Sequence, residues 1–379
     1  MNIECHKPSE VPDEVRVFWV DCAVEMDRML ALLRSPGWLE MLVDGDDAKG
    51  VVVVLRDDDG ACRAVLPLLF RSWILNFAIA GKSLARYELP AFRVCGGTVV
   101  ERDLSDVDLN RVFAHLAKLF PGYEAFWFDL VTDDKQLAMI RKGGADGFFC
   151  HEPHAGMPHY RLALPATVEE CMALRSRKSR KRLHEKERAL VRVAGSDLEV
   201  VEIRSASDWA PYTQRIEELM QRTWQARALG HELDMQEQHK VAARGWLRSY
   251  LLLAGDEAVA FVLCYQGMET LFYEFLGYDQ AYAKYSPGTI LLYKILALLY
   301  RADTPRYVDF GEGEAAYKKE IANEVTTARA ALVVRCRLRH RLRFGCLALV
   351  RGLDKFVRAV ATRTALGQRA VRRARQGAA

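Results

Sequence analysis

The sequence predicts an α/β (α+β) chain of two lobes, each a β-sheet flanked by helices. Three observations predict it. One order of elements, β-β-β-α-β, is written twice, once within residues 51–131 and again within 250–311. Half of the 379 residues are hydrophobic and a tenth are aromatic, which is enough to bury two cores at ~100–200 residues per domain. Between the copies lies a basic segment without Pro or Gly.

In the first copy, Val51–Leu55, the turn Asp57–Gly60 and Cys62–Phe70 read as a hairpin, with Trp73–Ala80 as a third strand. Leu109–Leu119 has helical spacing, and Ala125–Val131 reads as a buried strand. In the second copy, Tyr250–Ala254, the turn Gly255–Glu257, Ala258–Tyr265 and Thr270–Gly277 give three strands. A helix over Pro287–Arg301 and a strand over Arg306–Gly311 complete it. The joining segment, Leu174–Leu190, has high helix propensity throughout. The expected domains are therefore 1–165 and 166–334, the second including the basic helix 174–190, followed by a tail over 335–379.

The formal charge of +4 hides an uneven distribution. The tail 335–379 holds 13 Lys and Arg against one acid, Asp354, which leaves 41 basic against 49 acidic residues elsewhere. Segment 175–192 holds nine more basic residues and two acids, so the remaining chain carries a formal −15. The basic helix reads either as a solvated face bridging the two lobes or as an anion-binding helix through Arg177, Lys178, Arg180, Lys181 and Arg182. The nine scattered cysteines never form Cys-x-x-Cys and read as reduced thiols of a cytoplasmic protein. No signal peptide is expected from MNIECHKPSEVPDEV, and no apolar run approaches the ~18–20 residues of a membrane span.

The strongest local signal is Tyr285-Ser-Pro-Gly-Thr289, which follows a strand and opens a helix. Ser286 suits an N-cap, Pro287 the first helical position, and Gly288 a close approach of backbone or ligand. Such a helix start reads either as simple capping or as a pyrophosphate site. Downstream, Asp309 stands in an apolar strand that ends at Gly311 and Gly313, and Tyr317 and Lys318 follow at the same edge. Asp309 reads as a reacting carboxylate or as a structural one bonded to turn amides. Glu274, among the apolar residues 271–276, reads as a desolvated general base or as the solvent face of an alternating strand, and period two does not decide. Cys150-His-Glu-Pro-His154, with His159 nearby, matches no zinc spacing, and no metal is expected. No Walker A, Gly-x-Gly-x-x-Gly, Gly-x-Ser-x-Gly or His-Glu-x-x-His motif occurs, which argues against kinase, dinucleotide oxidoreductase, serine hydrolase and zincin chemistry.

These residues resemble a GNAT-superfamily acyltransferase of the cellulose-biosynthesis acetyltransferase-like (CelD/BcsL) type. The carrying segments are Ser176–Arg182, Trp224, Tyr278–Gly288, and Asp309–Gly313 with Tyr317 and Lys318. The resemblance implies tandem GNAT-like lobes, each a mixed sheet flanked by helices. It also implies acyl transfer from a thioester, normally acyl-CoA as cosubstrate with no tightly bound cofactor, to an amine or hydroxyl. On that reading Glu274 is the base and Tyr317 the acid, with Asp309 at the same centre. Ser286, Gly288 and Thr289 would meet the pyrophosphate, and Lys318 and Arg180 would add charge. One departure is visible: Ser286-Pro-Gly-Thr has a single glycine and a proline without a donor, where the GNAT phosphate loop is Arg/Gln-x-x-Gly-x-Gly/Ala. Related Fem-type transferases take aminoacyl groups from tRNA, which is the alternative enzyme. A GNAT-fold binding protein without chemistry is the other alternative. Nucleic acid is not the expected partner, because no aromatic-interleaved basic surface is visible.

In the tail, Leu342, Cys346, Leu349, Leu353, Phe356 and Val360 recur at spacings of four and three, and Arg351, Lys355, Arg358 and Arg363 lie off that stripe. The stripe either packs on the body or meets an anionic membrane surface. The second reading makes the protein peripheral on the inner face of the cytoplasmic membrane. The acceptor would then be an amine-bearing envelope sugar or lipid precursor, a sphingoid base among them.

Overall fold

The structure is a computed structural model that describes residues 2–80, 82–102, 104–144, 146–224, 226 and 234–363. The part of the tail after Arg363 lies outside the described residues. Two compact units form: residues 1–26, 33–156 and 328–379, and residues 27–32 and 157–327.

Along the chain, the first unit contains β1 (Asn2–His6), α1 (Asp13–Met26), α2 (Pro36–Val43), β2 (Gly50–Arg56), β3 (Cys62–Ile79), β4 (Lys82–Val94), β5 (Val100–Glu101), α3 (Asp106–Leu119), β6 (Ala125–Val131), α4 (Asp134–Gly143) and β7 (Phe148–His151). The second unit adds β8 (Met157–Ala163), α5 (Val168–Ala173), α6 (Arg177–Ala194), β9 (Leu198–Ile203), α7 (Ala206–Trp209), α8 (Thr213–Arg222), α9 (Met235–Ala243), β10 (Ser249–Ala254), β11 (Glu257–Gly267), β12 (Thr270–Tyr278), α10 (Pro287–Leu299), β13 (Tyr307–Glu312) and α11 (Ala316–Ile321). Strand β14 (Glu324–Arg335) returns the chain to the first unit, which α12 (Leu338–Arg363) closes.

Each unit is a mixed α/β sheet. In the first the order is β1-β2-β3-β4-β6-β14, with β7 also on β14; only β4 and β6 run parallel. In the second the order is β8-β13-β12-β11-β10-β9, and only β12 and β13 run parallel. Both parallel pairs are joined through a helix, α3 or α10, as a parallel crossover requires. The twofold β-β-β-α-β order is therefore present. Its first copy differs in one strand: Trp73–Ile79 continues β3, and the third strand is Lys82–Val94. No turn residue interrupts Phe70–Trp73, so the hairpin extends to its tip near 80.

The unit boundaries also differ from those expected. The division falls between Gly156 and Met157, and the described part of 335–379 belongs to the first unit. Phe344 and Leu347 of α12 bury against Leu75, Leu89, Leu332 and Val334, so this helix has a core of its own. Glu124, almost wholly buried, accepts from Arg337 at 2.8 Å and His340 at 3.1 Å and also pairs with Arg339, which fixes the start of α12.

The basic helix α6 belongs to the second unit. Ser176 caps it by accepting from the Ser179 N–H at 3.2 Å, and Gly195 ends it in the left-handed conformation, φ 71°. Leu183 and Leu190 bury in the core formed by α10 and strands β10–β13. Arg177, Lys178, Lys181 and Arg182 remain exposed. Helix α10 is the centre of this core: Ile290, Leu291, Leu292, Ile295, Leu296 and Leu299 are all buried, each contributing about 1.5–3 kcal/mol of hydrophobic stabilisation.

Candidate active site

The second unit's sheet opens at the one place where its strands run parallel. Strands β12 and β13 pair only through Thr270–Phe272 and Tyr307–Asp309. Beyond that point each strand departs from its other neighbour's register. The β11–β12 register shifts so that Leu263 faces Phe275 and Cys264 faces Tyr273, leaving Glu274 as the extra residue of a β-bulge. The β8–β13 register shifts between Asp309 and Glu312, where Gly311 turns through φ 67°.

The bulge decides the question alternation left open. Before it, Leu271 and Tyr273 face the α10 core; after it, Leu276 and Tyr278 do. Glu274 is turned out of that core and is solvent-accessible. Its Oε1 accepts from the Tyr265 hydroxyl at 2.6 Å. The surrounding protein raises the carboxyl above its ordinary pKa by desolvation; the Tyr265 bond opposes this, and the charges of Asp309 and Glu237 reinforce it. Tyr265 itself stacks on Phe272, ring centroids 4.9 Å apart, which holds the phenol in place.

Tyr317, on α11, packs on the α10 core beside Tyr273. Its ring lies 6.1 Å from that of Tyr273, the residue before Glu274, and 6.2 Å edge-on from Phe310. Burial pushes its hydroxyl up to about 12, so it is protonated throughout the neutral range. Tyr273 contributes a further buried hydroxyl with no partner among the described residues. Tyr265 does not stand out in the sequence, because only the β11–β12 pairing brings it to Glu274.

Asp309 is buried. Its Oδ1 accepts from His159 Nε2 at 2.7 Å and from the Gly311 N–H at 2.6 Å. His159 is a β8 residue as deeply buried as Asp309. The other candidates of that cluster go elsewhere: Glu152 pairs with Arg141, and His154 Nδ1 accepts from Gly156. Among the described residues no group of three or more His, Cys, Asp or Glu could hold a metal ion. Lys318 turns its ammonium back onto the Glu312 carbonyl at 2.7 Å and the Gly311 carbonyl at 3.5 Å, bracing the end of β13. Burial lowers its pKa, and Asp309, Glu274 and Glu312 counter that.

The phosphate-loop expectation changes most. Ser286 does not cap α10: it adopts φ 57°, and its hydroxyl accepts from Lys186 Nζ of α6 at 2.6 Å. Its carbonyl takes the N–H groups of both Thr289, at 3.0 Å, and Ile290, at 3.1 Å. Gly288 packs closely, since a Cβ there would lie 2.9 Å from Leu276 Cδ2 on β12 and would make that side chain shift. Arg180 donates to the Met172 carbonyl at 3.3 Å and so caps α5. Lys186, which the sequence did not single out, is the cation the fold brings to the mouth of α10.

Residues 177–319, all within the second unit, match the family model of the acetyltransferase (GNAT) domain, Acetyltransf_6. The chain carries a GNAT-type transferase domain. No curated protein matches it. Among solved structures, FemX is similar at a TM-score of 0.57 and 12% identity, covering 88% of this chain and 97% of that one. A tandem GNAT protein from the clavulanic acid biosynthesis pathway gives 0.49 at 13% identity, with 87% and 98% covered. The C-terminal domain of a lysylphosphatidylglycerol synthetase from Agrobacterium fabrum, described there as putative, gives 0.48 at 12%, with 91% and 96% covered. At these identities the likeness to FemX is one of fold.

Proposed function

We propose that the second unit transfers an acyl group from a CoA thioester to an amine carried by an envelope sugar or lipid precursor, sphingoid bases included. The observation that carries this reading is the short parallel pairing of β12 and β13, with the bulged Glu274 and its Tyr265 partner turned out of the α10 core and Tyr317 packed beside the neighbouring Tyr273. The amine nitrogen attacks the thioester carbonyl carbon while Glu274 accepts its proton, directly or through water. The tetrahedral intermediate then collapses, the C–S bond breaks, and Tyr317 gives its proton to the departing thiolate. A raised carboxyl pKa suits a base for an ammonium-derived nucleophile, and the carboxylates of Glu237 and Asp309 add negative potential that attracts a cationic acceptor. Lys186 and the Gly288 N–H are the groups offered to the donor's phosphates. The protein acts in the cytoplasm, where acyl-CoA is made.

A second reading, the Fem-type aminoacyl transfer from tRNA, is favoured by one observation: the Thr289 and Ile290 amides close onto Ser286, which leaves few donors for a pyrophosphate. Titration calorimetry with acetyl-CoA, long-chain acyl-CoA and aminoacyl-tRNA separates the two. Saturable heat with an acyl-CoA supports the first reading. Silence across all chain lengths together with tRNA binding overturns it in favour of the second.

A further inference from the structure

The apolar stripe of α12 is on the outside. Phe344 and Leu347, with the fully buried His340, form the face that packs on the first unit's sheet. The opposite face carries Leu338, Leu342, Leu349, Leu353 and Phe356, all exposed; Leu349 is 75% and Phe356 66% accessible. At about 100° per residue these five side chains fall within a sector of about 60°, half a turn from His340, Phe344 and Leu347. Cys346 lies at the edge of that sector and is also exposed. A helix already anchored by one face has no structural need for a second apolar stripe of this length, and contiguous exposed apolar area marks an interaction surface.

The charges around the stripe select its occupant. Arg341, exposed, lies along one flank and Arg339, which also pairs with Glu124, along the other, while the exposed Lys355 stands further round the helix. The only acid of the helix, Asp354, accepts from the Ala80 N–H at 2.7 Å at the tip of the β3–β4 hairpin. That tip adds the exposed Lys82 and Leu84. A second copy docked through the same face would set Arg and Lys against Arg and Lys, with the helix's single acid, Asp354, already bonded to Ala80, since a twofold interface meets itself. A basic-flanked apolar stripe is complementary to anionic lipid: the leucines and Phe356 enter the acyl boundary while the cations meet headgroup phosphates.

We propose that the outer face of α12 is a membrane-docking surface for anionic phospholipid. It gives the first unit, which lies outside the matched transferase domain, a role of its own. It stands on the first unit alone, so its failure leaves the acyl-transfer reading untouched.

The test is co-sedimentation of the full chain with phosphatidylcholine vesicles with and without phosphatidylglycerol. The wild-type chain is expected to pellet with the anionic vesicles and to be released by salt. A Leu349→Glu/Leu353→Glu/Phe356→Glu variant and an Arg341→Glu/Lys355→Glu variant are each expected to lose at least about tenfold in partitioning. Circular dichroism confirms that both fold, and if the first does not, the second carries the test alone. Wild-type protein that stays in the supernatant, or charge-reversed protein that pellets equally, overturns the proposal. Sedimentation velocity covers the competing occupant: a dimer that the apolar variant converts to monomer, without vesicle binding by the wild type, assigns the stripe to a second copy instead.

Discussion

Replacing Glu274 by Gln removes the proton acceptor while keeping the shape of the β12 bulge. A positioned general base contributes about 10²–10⁴ in rate, which is ~3–5 kcal/mol of barrier at 1.36 kcal/mol per decade. The amide still accepts from Tyr265, whose hydroxyl stands 2.6 Å from the carboxyl oxygen, so the loss falls on kcat/KM and leaves folding intact. Stability moves the other way. Desolvation raises the folded-state pKa of Glu274 above its unfolded value. Between those two values the folded protein holds more protons than the unfolded chain, so this group's contribution falls as pH rises through that window. At neutral pH the carboxylate is therefore unfavourable to the fold, and Glu274→Gln is expected to melt at or above the wild-type temperature. The assay is thioester consumption monitored by thiol release, alongside thermal denaturation at pH 7. Wild-type turnover in the variant refutes the assignment of the base, and a large drop in melting temperature refutes the account of its environment.

Tyr265→Phe removes the one hydrogen bond that favours the ionised carboxyl, so the acid limb of the pH–rate profile is expected to move to higher pH; an unmoved limb shows that Glu274 is not the titrating group. Tyr317→Phe is expected to lower kcat by about tenfold or more without a matching change in acyl-CoA affinity, as read by steady-state kinetics and calorimetry. Asp309→Ala strands His159 and the Gly311 N–H in a buried place, with an expected loss of about 2–5 kcal/mol in urea denaturation. Gly288→Ala forces a methyl against Leu276 and is expected to cost about 1–3 kcal/mol by the same measurement.

Much of this fold is legible in local pattern. Each strand and helix of the second copy appears within a few residues of its expected place, because hydrophobic runs there alternate cleanly with turn residues. The same logic failed at Trp73, where a strand runs on without a turn to mark it. At the site, residue types were legible and contacts were not. Glu274 and Tyr317 stand out by composition, but the partner of Glu274 comes from the neighbouring strand through a shifted register, and the partner of Asp309 is 150 residues away. Ser286 carried the signature of a cap, yet Lys186 of another helix takes its hydroxyl. Such pairings are properties of tertiary packing, which a linear pattern does not encode.

The extra residue in β12 has a consequence that concerns length and not identity. Because successive side chains alternate in direction, one inserted residue changes the phase of everything after it. Leu271 and Tyr273 on one side of Glu274, and Leu276 and Tyr278 on the other, reach the same core only because of that phase change. Deleting one residue here would force a choice: either the second half of the strand points its apolar groups away from α10, or the acid is drawn into the sheet. A carboxylate in the midst of an otherwise buried strand is thus kept there by counting, and a shortened β12 would lose it even with every remaining side chain unchanged.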